Sequence, residues 1–200
     1  MEIIIKEIQG ELIKNAIEIF TEAFIDDPLF MLAFPELESR KRLTKIMYEF
    51  VVNDMVPELN LKIKGAFAED VLVGCMIYRT PESIQWNDKL NYAIEKMRKK
   101  ADDIRIDKIG EYARLSGYEP GVVHFYGNEL AVKNEYRKSG IGKELCKYLI
   151  LDCINHPSAK GILVDTANEN NIKLYEKWGW VLKKTVEFYS IKKYFMWRDK

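Results

Sequence analysis

Apolar residues recur along this chain with two spacings, and the places where one gives way to the other divide it into elements. Ile3 to Ile8 is short and β-branched, which predicts an edge strand. Ile13, Ala16, Ile17, Phe20 and Phe24 then share one helical face. That helix is expected to stop at Asp26-Asp27-Pro28, because proline disfavours helical backbone in the residue before it. A second helix is predicted from a cap at Ser39, with Leu43, Ile46, Met47, Phe50 and Val51 inward and Pro57 at its end. "IKGAFAEDVLVGCMIYR" reads as two strands joined by a tight turn at Glu69-Asp70.

Residues 81–118 break the alternation. They are rich in Lys, Arg, Asp and Glu and place Leu90, Ile94, Met97, Ala101 and Ile104 at helical spacing. A second short helix is expected from Asp107 to Leu115, weakened at Gly110 by about 1 kcal/mol relative to alanine. The stretch is too short to bury a core of its own, so it reads as a helical insertion within one domain spanning residues 1–200. Alternation resumes in "VVHFYGNELAV". A helix from Gly140 to Ile154, a buried strand "GILVDT", a short helix closed by Gly179 and two final strands turning near Ser190 complete the order β-α-α-β-β-(α insertion)-β-α-β-α-β-β. The fold class is mixed α/β.

Composition narrows the function. Thirty-one basic and 31 acidic side chains cancel, and a dedicated nucleic-acid binder carries a basic excess. Apolar runs are too short to span a bilayer, and "MEIIIKEIQGEL" lacks the positive start of a secretory leader, so a cytoplasmic location is expected. Cys75, Cys146 and Cys153 are scattered and odd in number, which suits buried thiols in a reducing compartment. No histidine motif accompanies them as a catalytic partner, and no metal site is implied.

"RKSGIGKEL", Arg137 to Leu145, carries the most specific chemistry. It sits between a strand and a helix. Amides at a helix start have no intrahelical partner, and the macrodipole adds positive charge there. Gly140 and Gly142 remove side chains, so a bulky anion can approach those amides, while Arg137, Lys138 and Lys143 add charge and Ser139 a hydroxyl. The alternative is a glycine turn with solvated lysines. A nucleotide P-loop is excluded by the missing upstream glycine and Lys-Ser/Thr pair, and a dinucleotide fingerprint by its position in the chain.

"ELAVKNEYRKSGIGKELCKYLI" resembles the acyl-CoA signature of the GNAT superfamily of N-acetyltransferases, strand then Arg/Gln-x-x-Gly-x-Gly/Ala then helix, on Arg137, Gly140 and Gly142. "ILVDTANENNIKLYEKWGW" resembles the second block of that family, so the resemblance spans roughly Val122 to Trp197. It implies a mostly antiparallel twisted sheet of six to seven strands, helices on both faces, and a central parallel pair that splays to admit the pantetheine arm of acetyl-CoA. It further implies that Leu130, Ala131 and Val132 offer main chain to pantetheine, that the amides of Arg137, Lys138, Ser139, Gly140, Ile141 and Gly142 hold the pyrophosphate with Lys143 nearby, and that Asn168 and Asn171 bond the pantetheine arm. Turn formation and helix capping are the structural alternative for both asparagines.

The resemblance also matches Tyr175 to the family tyrosine beside the acyl-CoA sulfur, as general acid for the leaving thiolate. Packing at a helix edge is its alternative, with Leu174 and Trp178 expected on the core-facing side. His124 and Glu129 are both candidate bases for the incoming ammonium, with removal through water as the default. Alternation puts His124, Tyr126 and Asn128 with Leu130 and Val132, and Glu129 opposite, unless a bulge shifts the facing. The acceptor pocket is expected from the two N-terminal helices, the segment between them and residues 81–118. Asp26 and Asp27 are candidates to attract a cation or to cap a helix end, and Phe24, Phe30, Phe34 and Trp86 to line the pocket or to pack the core. The implied activity is direct acetyl transfer to the primary amine of a small molecule. Its rivals are a protein or peptide N-acetyltransferase, a non-catalytic acyl-CoA sensor and a nucleotide-binding α/β domain, and a homodimer is an assembly the resemblance allows.

Overall fold

The computed structural model describes residues 2–200. Strand β1 (Ile4–Glu7) precedes helix α1 (Leu12–Phe24). The chain does not run straight from there to the second long helix. Asp27 caps a short helix α2 (Pro28–Ala33), its carboxylate accepting the Leu29 amide hydrogen at 2.9 Å, and Pro28 takes the first position, where no N–H is needed. Helix α3 (Leu37–Phe50) starts two residues before Ser39, which therefore lies inside the first turn instead of capping it. Nor does Pro57 stop it. The helix widens into a π-helical turn, Val51–Met55, and ends in α4 (Val56–Glu58), where proline again occupies a first turn.

Strands β2 (Lys62–Ala68) and β3 (Val71–Arg79) meet at Glu69 and Asp70, both with positive φ, which matches the twist of a tight hairpin. The insertion holds α5 (Asp88–Ala101), a 3-10 turn at Ile104–Ile106, and α6 (Asp107–Arg114). Asn87 caps α5 through the amides of Lys89 and Leu90, and Arg98, Lys99 and Lys100 sit at its negative end. Leu90, Met97 and Ala101 face inward as expected. Ile104 is 85 % exposed, because the helix stops at Ala101 and the spacing no longer applies. Strand β4 (Phe125–Val132) begins later than expected, with Val122 and Val123 exposed before it. Then follow α7 (Ile141–Asn155), β5 (Gly161–Thr166), α8 (Asn170–Lys177), β6 (Val181–Phe188) and β7 (Ile191–Asp199).

The seven strands of the described residues form one sheet, β1-β2-β3-β4-β5-β7-β6, in which β4 and β5 pair in parallel and the other neighbours antiparallel. On one face α1 lies on the sheet, α3 packs on α1, α5 on α3 and α6 on α2, around a core that includes Phe20, Leu43, Leu90 and Ile106. The other is covered by α7, where Ile141, Leu145 and Leu149 pack on Met76, Phe125 and Val164. All three cysteines are free and buried. No described helix is long and apolar enough to cross a membrane.

Candidate active site

The parallel pair β4–β5 is short. Phe125, Tyr126 and Gly127 register with Ile162, Leu163 and Val164, and past that point Asn128 to Val132 have no partner on the β5 side. On their other side Glu129 to Val132 remain paired to β3. One strand of the sheet thus presents an open main-chain edge at its centre, where a polar extended chain could add hydrogen bonds.

That edge leads directly to the helix start. Lys138 and Gly140 take left-handed backbone, with φ of 65° and 91°. Among the described residues no carbonyl receives the amide hydrogens of Lys138, Ser139, Gly140, Ile141, Gly142 or Lys143. Nothing lies within 4 Å of a Cβ built on Gly140, and one on Gly142 would meet Leu130, Trp178 and Val132 at 3.5, 3.6 and 3.9 Å. Unpartnered amides, a helix dipole and a bare bend fit a diphosphate. Two expected side-chain contributions are otherwise engaged. Ser139 donates its hydroxyl to the Tyr136 carbonyl, and Arg137 holds the carbonyls of Val132 (3.4 Å) and Ala23 (3.3 Å), fastening the strand end to α1. Lys138 and Lys143 carry the remaining positive charge. The loop at the end of β5 is organised by its own polar groups: Asn168 accepts from the Asn170 amide (3.0 Å), and Asn171 donates to the Thr166 hydroxyl (3.1 Å). The turn-forming role expected of both asparagines is therefore present.

A bulge decides which residues of β4 face the acceptor side. Tyr78 pairs with Gly127 and Ile77 with Glu129, leaving Asn128 as the extra residue. Phe125, Leu130 and Val132 consequently pack toward α7, while Tyr126, Glu129 and Ala131 share the opposite face. Simple alternation across this strand, which separates Glu129 from Tyr126, fails for that reason.

Glu129 accepts a hydrogen bond from the buried Tyr48 hydroxyl at 3.1 Å. Burial pushes its carboxyl up to about 8, against the pull of Tyr48, and the nearby Asp27 charge adds to the rise. Asp27 is itself pushed up to about 6, chiefly by burial and then by Asp165. His124 is not brought to this place. It precedes β4 at the end where the parallel strands are still paired, its Nδ1–H donates to Val122 at 2.7 Å, and its ring lies edge-on to Trp197 at 5.8 Å.

Tyr175 is half-buried on α8, between Trp178 and Trp180 at 5.9 and 5.7 Å. Leu174, expected on the inner side of that helix, is 40 % exposed; Trp178 faces the core as expected, and Tyr175 joins it in place of Leu174. Burial first, then Cys146, Asp165 and Glu129, raise the Tyr175 phenol above its usual value, so it stays protonated at neutral pH. Cys146 is pushed up to about 12 by burial, which suppresses the thiolate a nucleophile needs. Phe30 and Phe34 belong to the core, and Trp86 stands outside it with its indole N–H donated to Asn91.

Four polar groups on the acceptor side carry no sequence motif: Tyr48, Tyr112, Asp165 and Lys193. Charge inside the apolar strands, one aspartate in "GILVDT" and two lysines in "IKKYFMW", is the only trace of the last two. Lys193 is 3 % exposed, 3.4 Å from Asp165, and donates to the carbonyls of Tyr112 (3.1 Å) and Leu115 (3.3 Å), which ties the end of the insertion to the sheet.

Residues 100–182 match the family model described as an acetyltransferase (GNAT) domain. No curated protein matches the sequence. Among solved structures, the chain is similar to a protein described as histone acetyltransferase HPA2 and related acetyltransferase from Corynebacterium glutamicum, at 16 % identity and a TM-score of 0.71, covering 99 % of this chain and 96 % of that one. It is similar to the PaiA N-acetyltransferase of Thermoplasma acidophilum, solved with coenzyme A, at 17 % identity and 0.58 over 100 % of both chains. It is also similar to NAA60 of Arabidopsis thaliana, solved with a bisubstrate analogue, at 15 % identity and 0.59 over 99 % and 98 %. The architecture, with its broken parallel pair, is the GNAT fold.

Proposed function

We propose that this GNAT-fold chain transfers the acetyl group of acetyl-CoA to the primary amine of a small molecule, within a ternary complex. The observation that carries this reading is the release of β4 from β5 after Gly127, opening a main-chain edge that runs into six unpartnered amides at the start of α7. An extended amide-bearing arm and a diphosphate, in that order, fit this edge and bend. PaiA, solved with coenzyme A, has the same fold.

The residues divide the chemistry between two faces. Acetyl-CoA supplies the thioester and the leaving thiolate. Glu129, ionised, takes one proton from the substrate ammonium and leaves a neutral amine. The amine nitrogen forms the new C–N bond and the C–S bond breaks. Tyr175 gives its phenolic proton to the departing sulfur and regains one from the nitrogen as the amide forms. The net change is ammonium plus thioester to amide, thiol and one proton released to solvent. A buried carboxylate near 8 is matched to the first step, and a phenol that remains protonated to the second.

A small acceptor is favoured by the insertion, which is fastened over the sheet by Lys193 and buries Tyr112 on the acceptor side. A peptide acceptor is the second reading, since the NatC complex, solved with a Gag peptide and CoA, shares the fold at a TM-score of 0.57. Thiol release measured with acetyl-CoA against a panel of small amines and free-amine peptides separates them. Turnover confined to peptides refutes the small-molecule reading. Tight acetyl-CoA binding with no turnover of any amine refutes the transferase reading in favour of a sensor.

A further inference from the structure

Three carboxylates approach the acceptor side from different elements, and they are unequally satisfied. Asp165 of β5 has Lys193 beside it and also accepts from the Tyr126 hydroxyl. Among the described residues Glu129 of β4 has only the Tyr48 hydroxyl. Asp27, before α2, accepts one main-chain hydrogen and has no cationic partner among the described residues; its neighbour Asp26 is the one that meets Arg40.

Packing joins these groups. Helix α2 lies against α6 and β7, which carry Tyr112 and Lys193. Phe24 and Phe30, on either side of Asp27 in sequence, both pack on Tyr48, at 5.4 and 5.9 Å between ring centres. Tyr112 supplies a separate observation. It is 6 % exposed, its ring lies 4.8 Å from the Lys193 ammonium, and its hydroxyl has no hydrogen-bond partner among the described residues. Burial first, then Asp165, Asp27 and Glu129, hold its phenol above the usual value, and the packing of α2 on α6 brings Asp27 to the same side of the sheet. A buried phenol left unpaired is costly unless a ligand completes it. The carboxylates do not converge on one point: no three His, Cys, Asp or Glu side chains among the described residues form a metal-holding group. They stand on three different elements with the aromatic rings of Tyr48 and Tyr112 beside them, which suits two ammonium groups joined by an apolar chain more than one compact ion.

We propose that the acceptor is an alkyl diamine, its reacting nitrogen at Glu129 and its second ammonium held by the Asp27 carboxylate and the Tyr112 hydroxyl. This assignment rests on the acetyl-transfer reading and names its substrate class. The second ammonium supplies the charge that Asp27 lacks and a donor for the Tyr112 oxygen. A monoamine of equal length leaves Asp27 and Tyr112 as they are.

The test compares 1-aminobutane, 1,4-diaminobutane and 1,5-diaminopentane as acceptors for the full chain with acetyl-CoA, reading thiol release. The expected kcat/KM for the better diamine exceeds that for 1-aminobutane by about tenfold or more, the value of one hydrogen bond to a charged group. Asp27→Asn keeps the cap of α2, since asparagine caps as well as aspartate, and Tyr112→Phe keeps the ring. Each is expected to reduce the diamine-to-monoamine ratio severalfold, with acetyl-CoA affinity by calorimetry reporting that the variant is folded. Equal kcat/KM for diamines and monoamine, or a ratio unmoved in both variants, overturns the diamine site while acetyl transfer stands. If no amine is turned over, acetyl transfer itself fails. Calorimetry of 1,4-diaminobutane and 1-aminobutane against the CoA complex then decides the site alone: tighter diamine binding supports it and equal binding overturns it.

Discussion

The Tyr48 hydroxyl donates to the Glu129 carboxylate at 3.1 Å, joining α3 to β4 across 81 residues of sequence. The Tyr48 ring is fixed by stacking on Phe20 at 5.2 Å and Phe30 at 5.9 Å, so its hydroxyl has little freedom to leave. The bond favours the ionised carboxylate and works against burial, which favours the neutral acid. Tyr48 is a positioning residue in this arrangement. Tyr48→Phe preserves the stack and removes the donor. The midpoint of the alkaline rise in kcat/KM is expected to move up from about 8 by roughly one unit, the equivalent of a hydrogen bond to a charged group. A midpoint that stays in place shows that Tyr48 does not tune the base.

Glu129→Gln removes the base without changing its shape. Turnover is expected to fall by about 10²- to 10⁴-fold, and the rise in rate through pH 8 to disappear with it. Stability gives an independent check of the same carboxyl. Its folded value lies above its ordinary one, so the folded parent holds a proton that the unfolded chain has lost between about 4.5 and 8. The parent therefore loses stability as pH rises through that window and no more above it. The melting temperature of Glu129→Gln relative to the parent should rise between pH 5 and pH 9. A constant difference means that Glu129 is not held protonated by the fold.

Tyr175→Phe separates chemistry from cofactor binding. The ring keeps its contacts with Trp178 and Trp180, and only the proton donor is lost. Turnover should drop by about 10²-fold or more with acetyl-CoA affinity nearly unchanged. Equal turnover in variant and parent removes the general-acid assignment.

The cofactor side of the site is the part most readable from sequence, because it is local. Gly140 and Gly142 sit in one nine-residue stretch, and their function depends on main-chain geometry that the same stretch dictates. The facing of β4 is only half legible: alternation rightly sets Glu129 opposite Leu130 and Val132 but wrongly apart from Tyr126, and the bulge that brings Tyr126 to its side arises where the strand must serve β3 on one edge and an open cleft on the other. The acceptor side is hidden for a different reason. Asp27, Tyr48, Tyr112, Asp165 and Lys193 come from five elements, and nothing in the spacing of one refers to another. Helix α2 escapes a periodicity test because six residues complete fewer than two turns. Its two signals, a capping aspartate and a proline after it, also read as a helix end.

Gly142→Glu tests the diphosphate site with a change that the fold itself should accept. A side chain at Gly142 meets Leu130, Trp178 and Val132 at 3.5 to 3.9 Å, ordinary contact distances, so a Cβ fits without displacement. A carboxylate in the first turn of α7 is favourable to the helix dipole, and the melting temperature should hold or rise slightly. The same carboxylate competes for the unpartnered amides and repels phosphate, so acetyl-CoA affinity should fall by about 10²-fold, a change in binding free energy near 2.7 kcal/mol. Gly142→Gln brings the bulk without the charge and is expected to fall between the parent and the glutamate variant. Affinity that survives both substitutions in a protein of parental stability places the diphosphate somewhere other than the start of α7. The open edge of β4 would then need a different occupant.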